Sequence, residues 1–213
     1  MPRLDIYWSF RSPYSYLAID RLIAIDDAWP VETRFRPVRP LAMREPDFFE
    51  KNRPQFLPYL FKDVWRESAR LGISFASPRP DPIVMDFASG KVDAKQPIMD
   101  KLMALAVAAV EAGKGLAFAQ SVARRIWGGV ENWNQSQSMS EACAAAGLDL
   151  HALEDWVAKN SARIAQTIAD SEAEQLKHHW GVPLMVLDEE PFFGQDRLDS
   201  LVWRFEQVGL RKR

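Results

Sequence analysis

A single cysteine, Cys143, stands in a chain of 213 residues. That scarcity excludes an internal disulfide, a C-x-x-C redox pair and any cysteine-rich zinc site. Cys143 lies in Glu141-Ala142-Cys143-Ala144-Ala145, an alanine-rich helical stretch where a buried, inert thiol is expected rather than a nucleophile. Histidine is almost as rare. His178 and His179 are adjacent at a helix end, point roughly 100° apart and make a poor pair of metal ligands, so no metal is expected. No apolar run approaches the ~18 residues of a membrane span, and Asp5, Ser9 and Arg11 break any leader-like segment near the start. A reduced, cytoplasmic protein with no membrane partner is expected. Charge of one sign is also lacking: 27 basic residues face 29 acidic ones, for a formal net charge of -2, which gives no reason to expect nucleic acid. The bunch Arg34, Arg36, Arg39 and Arg44 reads as a solvated face. There is no phosphate loop, no G-x-S-x-G, no H-E-x-x-H and no repeat of fixed period.

What is present is a chain rich enough in apolar residues, at 47% with eight Trp, to bury a sizeable core. Its organising stretch is Ser9-Phe10-Arg11-Ser12-Pro13-Tyr14-Ser15-Tyr16-Leu17-Ala18. The strand-like run Leu4 to Trp8 precedes it. Ser12 fits a helix N-cap and Pro13 the first helical position, where a fixed φ and a missing N–H cost nothing. Tyr14, Ala18, Leu22 and Ile25 recur at helical spacing. Such a strand-to-helix turn aims free N–H groups and a positive dipole end at Ser12, a good place to hold an anion.

Along the chain, residues 3 to 9 read as a strand, 13 to about 27 as a helix and Val31 to Arg36 as a second strand closed by Pro37 and Pro40. Short connections imply parallel strands. A helical block follows. It holds Pro58 to Leu71 with Gly72 as a stop, the stripe Met99, Leu102, Met103, Ala106, Val107 and Val110 as core, and Leu116 to Trp127. Residues 73 to 97 form a long connection with a short helical stretch near Ile83 to Phe87. Ser138-Met139-Ser140-Glu141 reads as a capping box, Asp149 caps the next helix, and Ser161 caps the last of the series. Strand signals return at Leu184 to Leu187 and Pro191 to Phe193, and Asp196 fits the N-cap of a final helix. The order βαβ, helical block, ββα predicts an α/β thioredoxin fold with a large all-helical insertion. The thioredoxin-like domain comprises residues 1–40 and 179–213, and the insertion residues 41–178.

Three segments carry a resemblance: Ser9 to Ala18, Gly181-Val182-Pro183, and Phe193-Gly194-Gln195-Asp196-Arg197-Leu198. Their order and placement resemble the motifs of the 2-hydroxychromene-2-carboxylate isomerases, relatives of kappa-class glutathione transferases in the DsbA-like thioredoxin superfamily. Ile126-Trp127-Gly128 adds to it inside the helical block. The resemblance implies a glutathione-dependent isomerase of aromatic catabolism. A kappa-type transferase and a non-catalytic DsbA-like binding module are the alternatives. It also implies glutathione as cofactor, a small aromatic substrate and a homodimer.

In a dithiol enzyme the helix start would carry two cysteines. Here it reads Ser12-Pro13-Tyr14-Ser15, so the site suits a borrowed thiol. The resemblance makes Ser12 the catalytic residue, donating its hydroxyl to the glutathione sulfur, with Pro13 and Tyr14 beside it. Val182 and Pro183, as residue and cis-proline, would pair with the cysteinyl backbone. Asp196 and Arg197 would meet the γ-glutamyl end, and Asn52 would bind the tripeptide ahead of the Pro54 turn. Lys62 reads as a solvated lysine. Tyr14, Trp8, Trp65 and Phe87 are expected to wall the substrate pocket. Arg11 stands where the family usually carries an apolar residue.

Overall fold

Leu4, Ile6 and Trp8 alternate with Asp5 and Tyr7 along the first strand, and both sets are buried. A strand buried on both faces is a central one. The computed structural model, which describes residues 1–51, 54–86 and 89–213 (residue 50 without its side chain), places it so. Strand β1 (Arg3–Trp8) leads through helix α1 (Pro13–Ala28) to β2 (Glu32–Pro37), which lies parallel to β1 with Ile6 beside Phe35.

Eight helices then intervene among the described residues: α2 (Leu41–Arg44), α3 (Phe48–Lys51), α4 (Phe56–Leu71), α5 (Pro97–Glu111), α6 (Gly115–Trp127), α7 (Ser136–Ala145), α8 (Leu150–Lys159) and α9 (Ser161–Leu176). The chain re-enters the sheet as β3 (Leu184–Leu187), antiparallel to β1, and turns at Asp188-Glu189 into β4 (Glu190–Phe193). Both turn residues have positive φ, as a two-residue hairpin requires. A 3-10 turn (Gln195–Arg197) and helix α10 (Leu198–Gln207) close the chain. The strand order is β2-β1-β3-β4. This is the thioredoxin sheet, with the helical block inserted between β2 and β3.

The main core lies on the face of β1 that carries Leu4, Ile6 and Trp8, with Leu17 and Leu22 of α1, Phe118 and Val122 of α6, and Leu201 and Phe205 of α10. Each such side chain contributes roughly 1.5–3 kcal/mol through burial. The indole N–H groups stay satisfied: Trp8 donates to the Ser15 carbonyl at 2.9 Å and Trp127 to the Phe10 carbonyl at 3.0 Å. Tyr7, Val38, Leu184 and Val186 form a smaller cluster on the opposite face.

Several local expectations fail. Helix α7 begins at Ser136 behind Gln135, so Ser138-x-x-Glu141 is helix interior and not a capping box. There the Ser138 hydroxyl accepts from Arg125 at 3.0 Å. Asn160 occupies the N-cap position of α9, and Ser161 is its first helical residue. Residues 83–86 are not helical; Met85 instead bridges to Val92. The arginine bunch is a solvated face only in part. Arg36 pairs with the buried Asp5 at 2.5 Å and the partly buried Arg44 donates to main-chain carbonyls, while Arg34 beside Glu32 and Arg39, paired with Glu172 at 2.6 Å, are exposed. Periodicity sees apolar faces and cannot see partners that lie 31 or 133 residues away, as Asp5 does from Arg36 and Glu172 from Arg39.

Candidate active site

Ser12 sits where the turn after β1 enters α1. Its backbone is extended (φ -97°, ψ 114°), and its Oγ accepts from the Ser15 N–H at 3.2 Å. Ser12 is therefore the N-cap, with Pro13 buried in the first helical turn as the sequence implied. Because Pro13 has no N–H and Ser15 donates to the cap, the Tyr14 N–H is left without a partner among the described residues. It adds to the positive end of the helix dipole.

Across from it stands Val182. The Ser12 hydroxyl donates to the Val182 carbonyl at 3.4 Å, and the Val182–Pro183 peptide is cis. The Val182 N–H has no partner among the described residues. Pro183 is buried, and its carbonyl accepts from the Gly194 N–H at 2.9 Å. Two hydrogen bonds, one from the Ser12 side chain and one between backbone groups, thus bring all three sequence segments together: residue 12 to 182, and residue 183 to 194. The residues before Val182 are pinned as well, the Gly181 N–H donating to His179 Nδ1 at 2.9 Å. Burial lowers the pKa of His179, which stacks on Phe193 with centroids 3.9 Å apart, so it stays neutral and free to accept.

Asp196 and Arg197 are exposed on the 3-10 turn and lie 3.3 Å apart. Asp196 does not cap α10; Arg197 holds that position, without a side-chain cap. A 3-10 turn intervenes, and the carboxylate instead folds beside Gly194. A Cβ on Gly194 would come within 2.5 Å of Asp196 Oδ1, and the residue's φ of 105° independently favours glycine. Beneath the turn, Gln195 is buried; it accepts from Arg21 on α1 and donates to Glu67 on α4 at 2.9 Å. The turn is therefore fixed to α1, which Ser12 caps, and to α4.

Other expectations divide. Asn52 and Phe87 lie outside the described residues. Trp8 is fully buried in the core and walls nothing. The sequence showed an aromatic beside the site, but not that its indole is consumed by Ser15. Trp65 is 53% exposed and stands edge-on to Phe75, which stacks on Trp127 at 5.5 Å. The Arg11 guanidinium lies 5.3 Å from that Trp127 ring. Tyr14 is half-buried and donates its hydroxyl to Asp63 of α4 at 2.7 Å. Burial, reinforced by that hydrogen bond, pushes the Tyr14 phenol far up. Burial alone would raise the Asp63 carboxyl, but hydrogen bonds from Tyr14 and Arg66 outweigh it and hold the group below its usual value. Lys62 is exposed. A groove of about 610 Å³ beside Arg79, Pro80 and Asn132 does not include Ser12.

Two pairs escaped the sequence reading. Arg11 forms a bidentate pair with Asp81 at 2.6 and 2.7 Å, both side chains more than four-fifths buried, and Tyr14 finds Asp63. The first spans 70 residues and the second 49, so neither leaves a local signal. Cys143 is buried and its thiol is pushed up to about 11 by desolvation, with Asp149 and Glu154 adding to the shift, which suits an inert core residue. The site therefore has a hydroxyl, a helix N-terminus and open main-chain groups, but no sulfur of its own.

Residues 3–206 match the DSBA-like thioredoxin domain family. A curated relative, the 2-hydroxychromene-2-carboxylate isomerase of Sphingobium xenophagum, is 26% identical over 204 residues, spanning 93% of this chain and 95% of the relative. The solved structure of a 2-hydroxychromene-2-carboxylate isomerase is similar, with a TM-score of 0.70 at 21% identity, covering 97% of this chain and 95% of that one. A probable DsbA oxidoreductase of Streptomyces coelicolor has a TM-score of 0.66 at 17% identity, over 97% and 89% of the two chains. The chain belongs to the DSBA-like thioredoxin domain family.

Proposed function

We propose that this DSBA-like chain is a glutathione-dependent isomerase of the 2-hydroxychromene-2-carboxylate isomerase type, in which Ser12 holds the thiolate of a borrowed glutathione. The observation that carries the reading is the pairing of the half-buried Ser12 hydroxyl with the Val182 backbone, whose N–H lacks a partner among the described residues. An extended peptide can dock on those main-chain groups by strand-like hydrogen bonds. Its sulfur would then lie at the N-terminus of α1, where the hydroxyl and the dipole favour the ionised form. Asp196 and Arg197 supply complementary charges for the ammonium and carboxylate of the γ-glutamyl group. The relative's name gives the reaction class.

In the proposed reaction the thiolate adds to one carbon of the substrate's conjugated double bond. A C–S bond forms, the C=C bond becomes single and its electron pair moves onto the conjugated carbonyl. Rotation follows; the electron pair then returns, the C–S bond breaks, and glutathione leaves unchanged. There is no net oxidation or reduction. The exposed Trp65 ring and the partly buried Phe75 edge-on to it, backed by the buried Trp127, offer apolar surface for a planar substrate.

The Arg11–Asp81 pair favours a second reading. With Arg11 neutralised, the cation next to Ser12 is not available to a substrate carboxylate, which suits an uncharged electrophile and a kappa-type transferase. Incubation with glutathione and an electrophilic aromatic halide separates the two. Stable conjugate supports the transferase, and substrate isomerisation with full recovery of glutathione supports the isomerase. Absence of glutathione binding contradicts both and leaves a DsbA-like binding module.

A further inference from the structure

We infer that Gln175 of α9 and Arg44 of α2 are positioning residues that set the Val182 peptide for glutathione, an inference that rests on the glutathione reading above. Gln175 is 0% exposed, a costly place for a primary amide unless every polar atom is used. They are used. Its Nε2 donates to the Trp180 carbonyl at 3.1 Å and to the Gly181 carbonyl at 2.8 Å, while its Oε1 accepts from Arg44 at 3.2 Å.

Arg44 completes the ring by donating to the same Trp180 carbonyl at 3.0 Å and to the Arg39 carbonyl at 2.9 Å. Arg39 in turn is held by Glu172, one helical turn before Gln175, through both guanidinium contacts and its own N–H. Burial lowers the pKa of Arg44, against the pull of Glu172 and Glu45, while its donors serve neutral oxygens. A guanidinium placed to bond carbonyls orients backbone; it does not form a charge pair for its own sake.

The consequence falls on the next residue. With the 180 and 181 carbonyls fixed from α9 and the Gly181 N–H fixed by His179, Val182 keeps the orientation in which its carbonyl meets Ser12 and its N–H stays open. Replacing Gln175 with an apolar residue leaves the buried Gly181 carbonyl unsatisfied and the Trp180 carbonyl held by Arg44 alone, which lets that peptide turn. Glutathione must then order the loop as it binds, so the loss appears as affinity. Ser12 and α1 are untouched, so the ionisation of thiol already bound is unchanged.

The test is calorimetric titration of the full chain and its Gln175→Leu and Arg44→Leu variants with glutathione, with the thiol pKa of the bound tripeptide read at saturation. The inference predicts a Kd raised roughly ten-fold in Gln175→Leu, less in Arg44→Leu, and a bound-thiol pKa equal to wild type in both. A merely structural role reduces the fraction of molecules that bind and leaves Kd alone. If Gln175→Leu fails to fold, the milder Arg44→Leu carries the comparison. Wild-type binding with Kd unchanged in the folded variants overturns this inference and spares the glutathione reading. Failure of wild type to bind glutathione overturns that reading, and this inference with it.

Discussion

The Ser12 hydroxyl lies 3.4 Å from the carbonyl oxygen of Val182, across 170 residues of intervening chain. The contact joins a helix cap to the strand entry that faces it, and the same hydroxyl accepts from the Ser15 N–H. Ser12 thus has two roles that substitution separates. Ser12→Ala removes both, at a stability cost of about 1 kcal/mol for the lost cap. Ser12→Asp keeps the cap but places a carboxylate against the thiolate. The expected outcome is near wild-type thermal stability for Ser12→Asp with turnover reduced roughly 100-fold. Wild-type turnover in Ser12→Asp contradicts the role.

Gly194→Ala drives a Cβ to within 2.5 Å of the Asp196 carboxylate at a positive φ. It is predicted to lose about 1–2 kcal/mol of stability and to weaken glutathione binding by displacing Asp196. Asp196→Asn, an exposed change, is predicted to weaken binding with stability within about 0.5 kcal/mol of wild type. Equal affinity in all three proteins would remove Asp196 from the site.

Arg11 and Asp81 are each less than one-fifth exposed and doubly bonded. Single replacements by Leu strand a buried charge, and a double-mutant cycle in denaturant unfolding should give a coupling of about 1–3 kcal/mol. Coupling near zero would mean that the pair does not anchor the 73–97 connection to the start of α1.

The three motif segments and the βαβ…ββα order were legible in the sequence because each rests on local chemistry. Ser12 before Pro13, a strand before Gly194, and Asp149 before a helical face are short-range signals, and the structure bears each out. What stayed hidden was side-chain partnership. Asp196 and Ser161 had the right type for caps, yet a 3-10 turn displaced one and Asn160 displaced the other. Trp8 looked available for the pocket because its indole partner, the Ser15 carbonyl, lies beyond a turn that periodicity does not fold. The arginine bunch showed the same blindness, since the buried Asp5 draws Arg36 partly inward and Glu172 fixes the exposed Arg39.

Stability should fall at high pH. Tyr7 is pushed up to about 12, chiefly by burial, and burial with the Asp63 hydrogen bond raises Tyr14 further. The native state therefore keeps protons that the unfolded chain releases above about pH 10, so unfolding free energy declines as pH rises past 10 and is flat below it from this source. Chemical denaturation between pH 8 and 11 should show the decline, and Tyr14→Phe should lessen it. An equal decline in Tyr14→Phe contradicts the assignment. The same protonation at neutral pH makes Tyr14 an anchor for α4 and no general base.

Cys143, buried with its thiol pushed up to about 11, should resist a thiol reagent in the native protein and react fully in denaturant. Cys143→Ala should leave turnover within two-fold, because the working sulfur belongs to glutathione. Rapid native labelling, or loss of turnover in Cys143→Ala, contradicts this.

The most direct measurement is the ultraviolet thiolate absorbance of protein-bound glutathione, followed against pH in wild type and Ser12→Ala. A free thiol titrates near ~8.5, and a helix N-terminus with a donor hydroxyl lowers that by a unit or more. The account predicts a bound thiol at least one unit below the free value in wild type and a partial return towards it in Ser12→Ala. A bound thiol that titrates like free glutathione, or one indifferent to the loss of the residue-12 hydroxyl, contradicts it.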